Sequence, residues 1–160
     1  MTIKVGDKVP EVTFTTMTAE GPRPMTTAEV FGGKKVALFA VPGAFTPTCS
    51  AKHLPGYVNS YDALKAKGID RIVCVSVNDV FVMSAWAKDQ KTADKVLLLA
   101  DGNGAFAKAV GLELDAKGFG MGTRSQRYSM IVDNGVVKQL NVEAGGEFKV
   151  SSAEHMLGQL

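Results

Sequence analysis

The sequence predicts an α/β fold in which a mixed central β-sheet carries helices on both of its faces. Three apolar runs, each followed by a stretch of helical character, indicate buried strands; they cover residues 35–41, 70–77 and 95–101. The segment "RYSMIVDNGVVKQLNV" (127–142) is the strongest hairpin signal, with "DNG" at its turn. Strand–helix–strand units imply right-handed parallel crossovers and a terminal hairpin adds antiparallel strands, so together they predict a mixed sheet.

The first predicted strand, "KVALFAV" (35–41), is bounded by Gly32–Gly33 on one side and by Pro42–Gly43 on the other. The segment before it, "AEGPRPMTTAE" (19–29), contains two prolines and is interpreted as a surface loop. Residues before this segment carry only a weak signal of regular structure. The β-branched side chains of "DRIVCVSV" (70–77) favour a second buried strand.

The first helix is expected to begin near residues 46–49, to be disturbed at Pro55–Gly56 and to end at Gly68. Helical patterns follow at residues 80–90 and 103–112, and a short helix is expected over the terminal segment "SAEHMLGQL" (152–160).

The composition is that of an ordinary globular protein, with 46% hydrophobic and 21% charged residues, and 160 residues are most simply one domain over 1–160. A formal net charge of +2 with scattered basic residues predicts no nucleic acid or anionic membrane as a partner. The N-terminus lacks the apolar core of a signal peptide. Two cysteines are too few for a disulfide scaffold, and we expect a reducing, cytoplasmic location.

Cys49 follows the first apolar run instead of lying within it, so we expect it in a turn at the start of the predicted helix and not in the core. Unpaired backbone N–H groups and the helix dipole favour a thiolate at such a position, and only the thiolate is an effective nucleophile. Thr46 stands where a dithiol Cys-x-x-Cys motif would have its other sulfur, which excludes a dithiol cycle within this loop. An inert buried cysteine is the alternative. His53, four residues on, could tune the thiolate or could serve helix packing.

The segment "PGAFTPTC" (42–49) resembles the peroxiredoxin active-site signature P-x-x-x-[TS]-x-x-C. The extension "SAKHLPGY" is similar to the type II, or peroxiredoxin-5-like, branch of that family. Further matches lie at "WAKD" (86–89), "GTRSQRYSMIVDNGVV" (122–137) and "NVE" (141–143), so the resemblance extends over nearly the whole chain.

The resemblance implies a thioredoxin fold and the reduction of hydrogen peroxide and organic hydroperoxides without a cofactor. It implies that Cys49 is the peroxidatic cysteine, which becomes a sulfenic acid, and that Thr46 is bonded to the thiolate and the peroxide. Pro42 matches the proline that shields the sulfur, and Arg127 the arginine that stabilises the thiolate and polarises the peroxide. Arg124 is a nearby rival that does not match the motif.

Cys74 lies inside the second predicted strand, and burial there would make it inert. The alternative is a resolving thiol that forms a disulfide with Cys49. The animal branch has a further cysteine near its C-terminus, but the corresponding position is Val150. The resemblance therefore implies an external reductant, either glutaredoxin with glutathione or thioredoxin, and by analogy a homodimer.

Four other interpretations of the sequence bear on function. A zinc site built from both cysteines and both histidines lacks the usual ligand spacing, so no metal is expected. The segment "DGNGAFA" (101–107) has the glycines of a dinucleotide-binding turn but not the acid that should follow, which favours a plain loop, and Trp86 is expected in the core or an interface. A thioredoxin-fold redox switch without peroxidase activity stays open, and it would need neither Thr46 nor Arg127.

Overall fold

A computed structural model describes residues 2–92 and 94–160. The strands β1 to β9 are Thr13–Thr18, Gly21–Thr26, Lys35–Val41, Arg71–Ser76, Leu97–Ala100, Glu113–Asp115, Thr123–Ser125, Tyr128–Asp133 and Val136–Val142. The helices α1 to α6 are Thr27–Phe31, Leu54–Asn59, Tyr61–Ala66, Val80–Asp89, Ala105–Ala109 and Ala153–Leu157. A π-helix spans Cys49–His53 and a 3₁₀-helix spans Lys117–Phe119. Within the described ranges, the helices are all too short or too polar to cross a membrane.

Seven strands form one mixed sheet in the order β2-β1-β5-β4-β3-β8-β9. The central strands β5, β4 and β3 are parallel, and β1 and β8 pair with the two outer members of this trio in antiparallel orientation. The strands predicted from the three apolar runs form this parallel centre, and the predicted hairpin is β8–β9. The mixed sheet expected from the sequence is therefore confirmed.

Helices cover both faces of the sheet, because alternate residues of the central strands point to opposite sides. On one face, Phe39 of β3 packs with Cys49, Tyr57, Trp86 and Met156. On the other face, Leu38 packs in a separate cluster; its other members include Phe14, Phe31, Val73, Phe106 and Met130. The near-continuous apolar runs of the central strands thus reflect burial on both sides.

The prediction of a surface loop over residues 19–29 is wrong. These residues form β2, most of the hairpin turn that joins it to β1, and the first part of α1, and β1 pairs with β5. Strand β2 is at one edge of the sheet, where its Pro22 lies opposite Met17 of β1 and its Pro24 lies opposite Thr15 of β1. Proline lacks a backbone N–H, so a strand with two prolines is tolerated at an edge, where one side needs no ladder partner.

The predicted disturbance of the first helix at Pro55–Gly56 also requires correction. Pro55 lies in the first turn of α2, where no intrahelical N–H bond is required, so the chain stays helical through both residues. The irregularities lie on either side, in the π-helix before α2 and at Ser60 between α2 and α3. The small β6–β7 hairpin was not predicted, because three-residue strands are too short to show a period.

The pairing of β3 with β8 brings two distant parts of the chain together. Ala40 near the end of β3 lies opposite Tyr128 at the start of β8. Arg127 immediately precedes Tyr128, so it lies beside the carboxyl end of β3. The loop over residues 42–46 and the π-helix start from that same end.

Candidate active site

Cys49 and Arg127 are in direct contact at the carboxyl end of β3. The Arg127 Nη2 group donates a hydrogen bond to Cys49 Sγ at 3.0 Å. A guanidinium is charged at any working pH, and its attraction for a thiolate is strong where water is excluded. The structure therefore brings together two side chains that are 78 residues apart.

Cys49 is nevertheless fully buried and belongs to the hydrophobic cluster on its side of the sheet. The expectation that a cysteine placed after the apolar run would lie outside the core is wrong. The π-helix, closed by a bond from the Leu54 N–H to the Cys49 carbonyl, lays this residue against the sheet. Single-turn π-helices occur frequently at functional sites. Cys49 is both packed and positioned for chemistry.

His53 forms hydrogen bonds with Arg127 and with the Ser151 carbonyl, and not with the sulfur of Cys49. Arg127 Nη1 donates to His53 Nδ1 at 2.8 Å, and His53 Nε2 donates to the Ser151 carbonyl at 3.0 Å. A guanidinium can only donate and a carbonyl can only accept, so these bonds assign the proton to Nε2 of a neutral ring. Burial and then the charge of Arg127 lower the pKa of His53 to about 3. The ring is therefore a neutral acceptor for Arg127.

Thr46 occupies the loop between β3 and the π-helix, where its hydroxyl donates to the Gly43 carbonyl at 2.7 Å. The implied bond from Thr46 to the thiolate is not made in this structure. Because the hydroxyl hydrogen is engaged, Oγ1 can act toward a bound molecule only as an acceptor. Pro42 is half-buried at the end of β3, and its shielding of the sulfur stays a prediction.

The active-site loop is held by groups that sequence reasoning did not identify. Asn78 accepts a bond from the Ala44 N–H at 2.9 Å and one from the Ser76 hydroxyl. A Cβ on Gly43 would lie 3.2 Å from the Arg124 guanidinium and from Met121, so a larger residue would have to displace these side chains by a few tenths of an ångström. No sequence signal distinguished Asn78 from an ordinary turn residue.

Arg124 lies beside the same loop but does not contact Cys49 through a hydrogen bond. Its Nε donates to the Met121 carbonyl at 2.9 Å and its Nη1 to the Val77 carbonyl at 3.1 Å. Two backbone carbonyls thus hold this guanidinium in place. Of the two arginines, Arg127 is the one at the sulfur.

Cys74 is fully buried in the middle of β4, opposite Phe39 of β3, and both cysteines are free thiols. Its predicted burial is confirmed. Burial, and secondarily the proximity of Cys49, raises the pKa of the Cys74 thiol well above its ordinary value, although Arg127 acts in the opposite direction. A thiol that resists ionisation is a poor nucleophile.

Trp86 is fully buried, which agrees with the core position considered for it, and its indole N–H donates to the Ser50 hydroxyl at 3.0 Å.

The "DGNGAFA" segment is a loop that leads into α5, and its Asp101 caps the first turn of that helix. Asp101 accepts bonds from the Phe106 and Ala107 N–H groups, so its carboxylate occupies the donors that a phosphate would need. Among residues 2–92 and 94–160, histidine, cysteine and acidic side chains form no cluster of three or more suited to a metal ion.

The chain is similar to known proteins in sequence and in structure. The family model described as Redoxin matches residues 4–157. The chain is 52% identical to Peroxiredoxin-2E, chloroplastic, of Arabidopsis thaliana, over 99% of this chain and 69% of that protein. It is 48% identical to Peroxiredoxin-2C of the same plant, over 99% of this chain and 98% of that protein.

Among solved structures, the chain is similar to reduced Prx3 of Vibrio vulnificus in complex with hydrogen peroxide, with a TM-score of 0.95 and 56% identity over 98% of each chain. It is also similar to peroxiredoxin 5 of Alvinella pompejana, with a TM-score of 0.80 and 39% identity over 88% of this chain and 90% of that one. Together with the sheet order, these likenesses identify the thioredoxin fold that the resemblance implied.

Proposed function

We propose a complete catalytic cycle for this chain, which belongs to the redoxin family and is a type II peroxiredoxin, a thiol peroxidase with an antioxidant role. The observation that supports the proposed residue roles is the bond of 3.0 Å from Arg127 Nη2 to Cys49 Sγ in a buried site. A cation held at a buried sulfur favours the thiolate that the chemistry requires.

In the oxidative step, the Cys49 thiolate attacks one oxygen of the peroxide and the O–O bond breaks. The attacked oxygen stays on sulfur as a sulfenic acid, and the leaving oxygen takes a proton and departs as water or an alcohol. Arg127 stabilises the negative charge that develops on the leaving oxygen. The Thr46 Oγ1 atom accepts a hydrogen bond from the peroxide, since its own hydrogen is bonded to Gly43.

Hydrogen peroxide and alkyl hydroperoxides are the proposed substrates. The V. vulnificus relative, which is 56% identical to this chain, was crystallised in complex with hydrogen peroxide. Both substrate classes present the same O–O bond, and they differ only in the group on the leaving oxygen.

In the reductive step, an external thiol such as glutathione attacks the sulfenic acid. An S–S bond forms, the S–O bond breaks and water leaves, and glutaredoxin or a second thiol then reduces the mixed disulfide; thioredoxin is the alternative reductant. The position of Cys74 within a buried strand, with a pKa raised above its ordinary value, supports an external thiol over an internal one.

The test is peroxide consumption by the purified chain with glutaredoxin, glutathione and glutathione reductase, and separately with thioredoxin and thioredoxin reductase. We expect turnover with at least one system and none without a thiol source. Turnover with neither, although the protein consumes one equivalent of peroxide, would contradict the proposed reductants and leave the oxidative step standing.

We also propose that the chain forms a homodimer through the surface around the active-site loop. Phe45 of this loop is 51% exposed and Phe119 is 85% exposed, although apolar side chains of this size usually avoid water. Met121, two residues after Phe119, lies against Gly43, so the two phenylalanines belong to neighbouring segments. Light scattering after size exclusion should give twice the monomer mass, and Phe45→Glu with Phe119→Glu should give the monomer.

A cytoplasmic location is the remaining proposal. The two free thiols fit a reducing compartment, where such cysteines are kept reduced. Fractionation of the source cells with antibodies against this chain tests the location.

A further inference from the structure

We propose that Glu143 is a positioning residue for the peroxide site. Its carboxylate organises residues 149–151, the Ser151 carbonyl then orients His53, and His53 holds Arg127 at Cys49. This inference rests on the role proposed for Arg127 in the oxidative step. It also gives a function to the "NVE" motif at residues 141–143, which the catalytic cycle does not otherwise use.

The Glu143 carboxylate lies just after β9 and is surrounded by donors from one short segment. It accepts bonds from the N–H groups of Lys149, Val150 and Ser151 at 2.8 to 2.9 Å, and from the Ser151 hydroxyl at 2.6 Å. Burial opposes the charge, but these hydrogen bonds from Ser151, Lys149 and Val150 lower the pKa of Glu143 below its ordinary value. The residue is 8% exposed, and in the described part of the chain it forms no ion pair.

Three consecutive N–H groups that point to one carboxylate determine the path of the backbone through them. Ser151 is fully buried, and its carbonyl accepts from His53 Nε2 at 3.0 Å and from the Tyr57 hydroxyl at 2.9 Å. The Tyr57 ring is in turn stacked on Phe39 of β3, with 4.0 Å between centroids. The Ser151 carbonyl is therefore the point where the segment held by Glu143 meets the helix that carries Cys49.

His53 connects the Ser151 carbonyl to the guanidinium of Arg127. His53 Nδ1 accepts from Arg127 Nη1 at 2.8 Å, while Arg127 Nη2 donates to Cys49 Sγ at 3.0 Å. A guanidinium is planar and rigid, so fixing one Nη group fixes the direction of the other. The Glu143 N–H also donates to the Arg127 carbonyl at 3.0 Å, so Glu143 contacts both ends of this arrangement.

The Phe148 side chain covers the same groups from the adjoining position. Its ring centroid lies 4.9 Å from that of His53 and 5.9 Å from the Arg127 guanidinium carbon. The charged groups that act on His53 are Arg127, which lowers its pKa, and Glu143, which raises it. Release of residues 149–151 would thus remove the acceptor of His53 and loosen the cover over the guanidinium.

The experiment compares Glu143→Gln and Glu143→Ala with Glu147→Gln as the matched control. Glu147 is exposed in the same loop and has only a 3.7 Å ion pair with Lys149. Stopped-flow fluorescence of Trp86, the only tryptophan, should report the reaction of Cys49 with hydrogen peroxide in a single turnover, because its indole bonds Ser50 beside Cys49. This readout is independent of any reductant.

For Glu143→Ala we expect the second-order rate constant of oxidation to fall about 10- to 100-fold, the size of loss found when a residue that orients a metal ligand by hydrogen bonding is removed. Glu143→Gln keeps one acceptor oxygen and the shape of the side chain, so it should lose less. Glu147→Gln should react at the parental rate. The pH midpoint of Cys49 alkylation by iodoacetamide should rise in the same order as the rates fall.

Thermal unfolding of each variant shows whether it is folded at the assay temperature, and a merely structural role for Glu143 would lower the unfolding temperature without moving the alkylation midpoint. If Glu143→Ala does not fold, Glu143→Gln carries the test. A folded Glu143 variant with the parental rate and midpoint overturns the proposal. Arg127→Ala, measured alongside, separates the two claims: a parental rate there would refute the role of Arg127 itself, and the Glu143 proposal with it.

Discussion

Cys49 and Cys74 are both fully buried on the same side of the sheet, yet their surroundings differ. Cys49 lies in a π-helix, and Arg127 donates a hydrogen bond to its sulfur. Cys74 lies inside β4, where burial raises the pKa of its thiol well above the ordinary value. Burial is therefore common to both cysteines, and the described contacts differ in the guanidinium that bonds the sulfur of Cys49. We predict that this preorganised cation makes Cys49 the reactive thiol and that Cys74 is inert.

The largest expected effect is that of Cys49→Ser, which should abolish peroxide reduction. A serine hydroxyl has no accessible anion at neutral pH and cannot form a sulfenic acid. The rate of peroxide consumption, measured with both reductant systems, checks this prediction, and thermal unfolding shows that the variant is folded. Turnover at the parental rate would assign the chemistry to another residue, with Cys74 as the first candidate.

Arg127→Ala should lower the rate of Cys49 oxidation about 10²- to 10³-fold, because it removes a charged donor at the developing oxyanion. Arg124→Ala is the matched control, since Arg124 bonds two backbone carbonyls and not the sulfur. It should lose far less in the same single-turnover assay. Equal losses in both variants would mean that general positive charge at the loop, and not the contact at Cys49, sets the rate.

Acid should lower the free energy of unfolding, because the buried neutral ring of His53 resists protonation in the folded state. Burial and Arg127 lower the pKa of His53 from 6.5 to about 3, so the unfolded chain takes up a proton first as the pH falls. The stability that neutral His53 provides is complete above pH 6.5 and is lost progressively toward pH 3. The loss should be on the order of a few kcal/mol in the free energy of unfolding from urea titrations.

His53→Gln should flatten that pH dependence, whereas His155→Gln should retain it. His155 is the only other histidine and is exposed on α6. A parental slope in His53→Gln would show that other groups dominate the acid sensitivity of the fold.

The smallest effect on activity is expected from Cys74→Ser, which should keep most turnover with glutaredoxin and glutathione. Its cost should appear in stability instead, at about 1–3 kcal/mol, because a hydroxyl would be buried without a designed partner. Mass spectrometry of the peroxide-treated parent should show mainly a Cys49 sulfenic acid or glutathione adduct. Rapid, quantitative Cys49–Cys74 disulfide and an inactive Cys74→Ser would remove the contrast between the two cysteines.

The long, periodic elements could be predicted because their signals are local. The runs "KVALFAV" and "DRIVCVSV" identify the buried centre of the sheet, and "DNG" identifies the turn of the β8–β9 hairpin. Strand β2 was missed because its two prolines argue for a loop unless the strand is known to be at an edge. Edge position is a property of the whole sheet.

The residues of the site divide in the same way. Cys49 and Thr46 belong to one short motif, and Arg127 was identified because the resemblance extends to the segment around it. Ser151 and Asn78 carried no signal, because a serine or an asparagine is ordinary at most positions. Tyr57 ends the quoted segment "SAKHLPGY", but nothing in that segment indicated its bond to Ser151. These residues act through a backbone carbonyl or a few hydrogen bonds, which leave no pattern in one sequence.

By itself, the amino-acid sequence determined the class of fold and, through the family signature, the kind of chemistry, because both depend on residue type and short spacing. That Cys49 is the reacting thiol stays a prediction from the same signature. Only the tertiary structure decided that Cys49 is buried, that His53 accepts a hydrogen bond from Arg127, and that Glu143 holds the Ser151 segment. The bonds from Arg127 to His53 and to Cys49 join residues 74 and 78 positions apart in the chain. Their physical origin is the pairing of β3 with β8, which sets distances that no local pattern encodes.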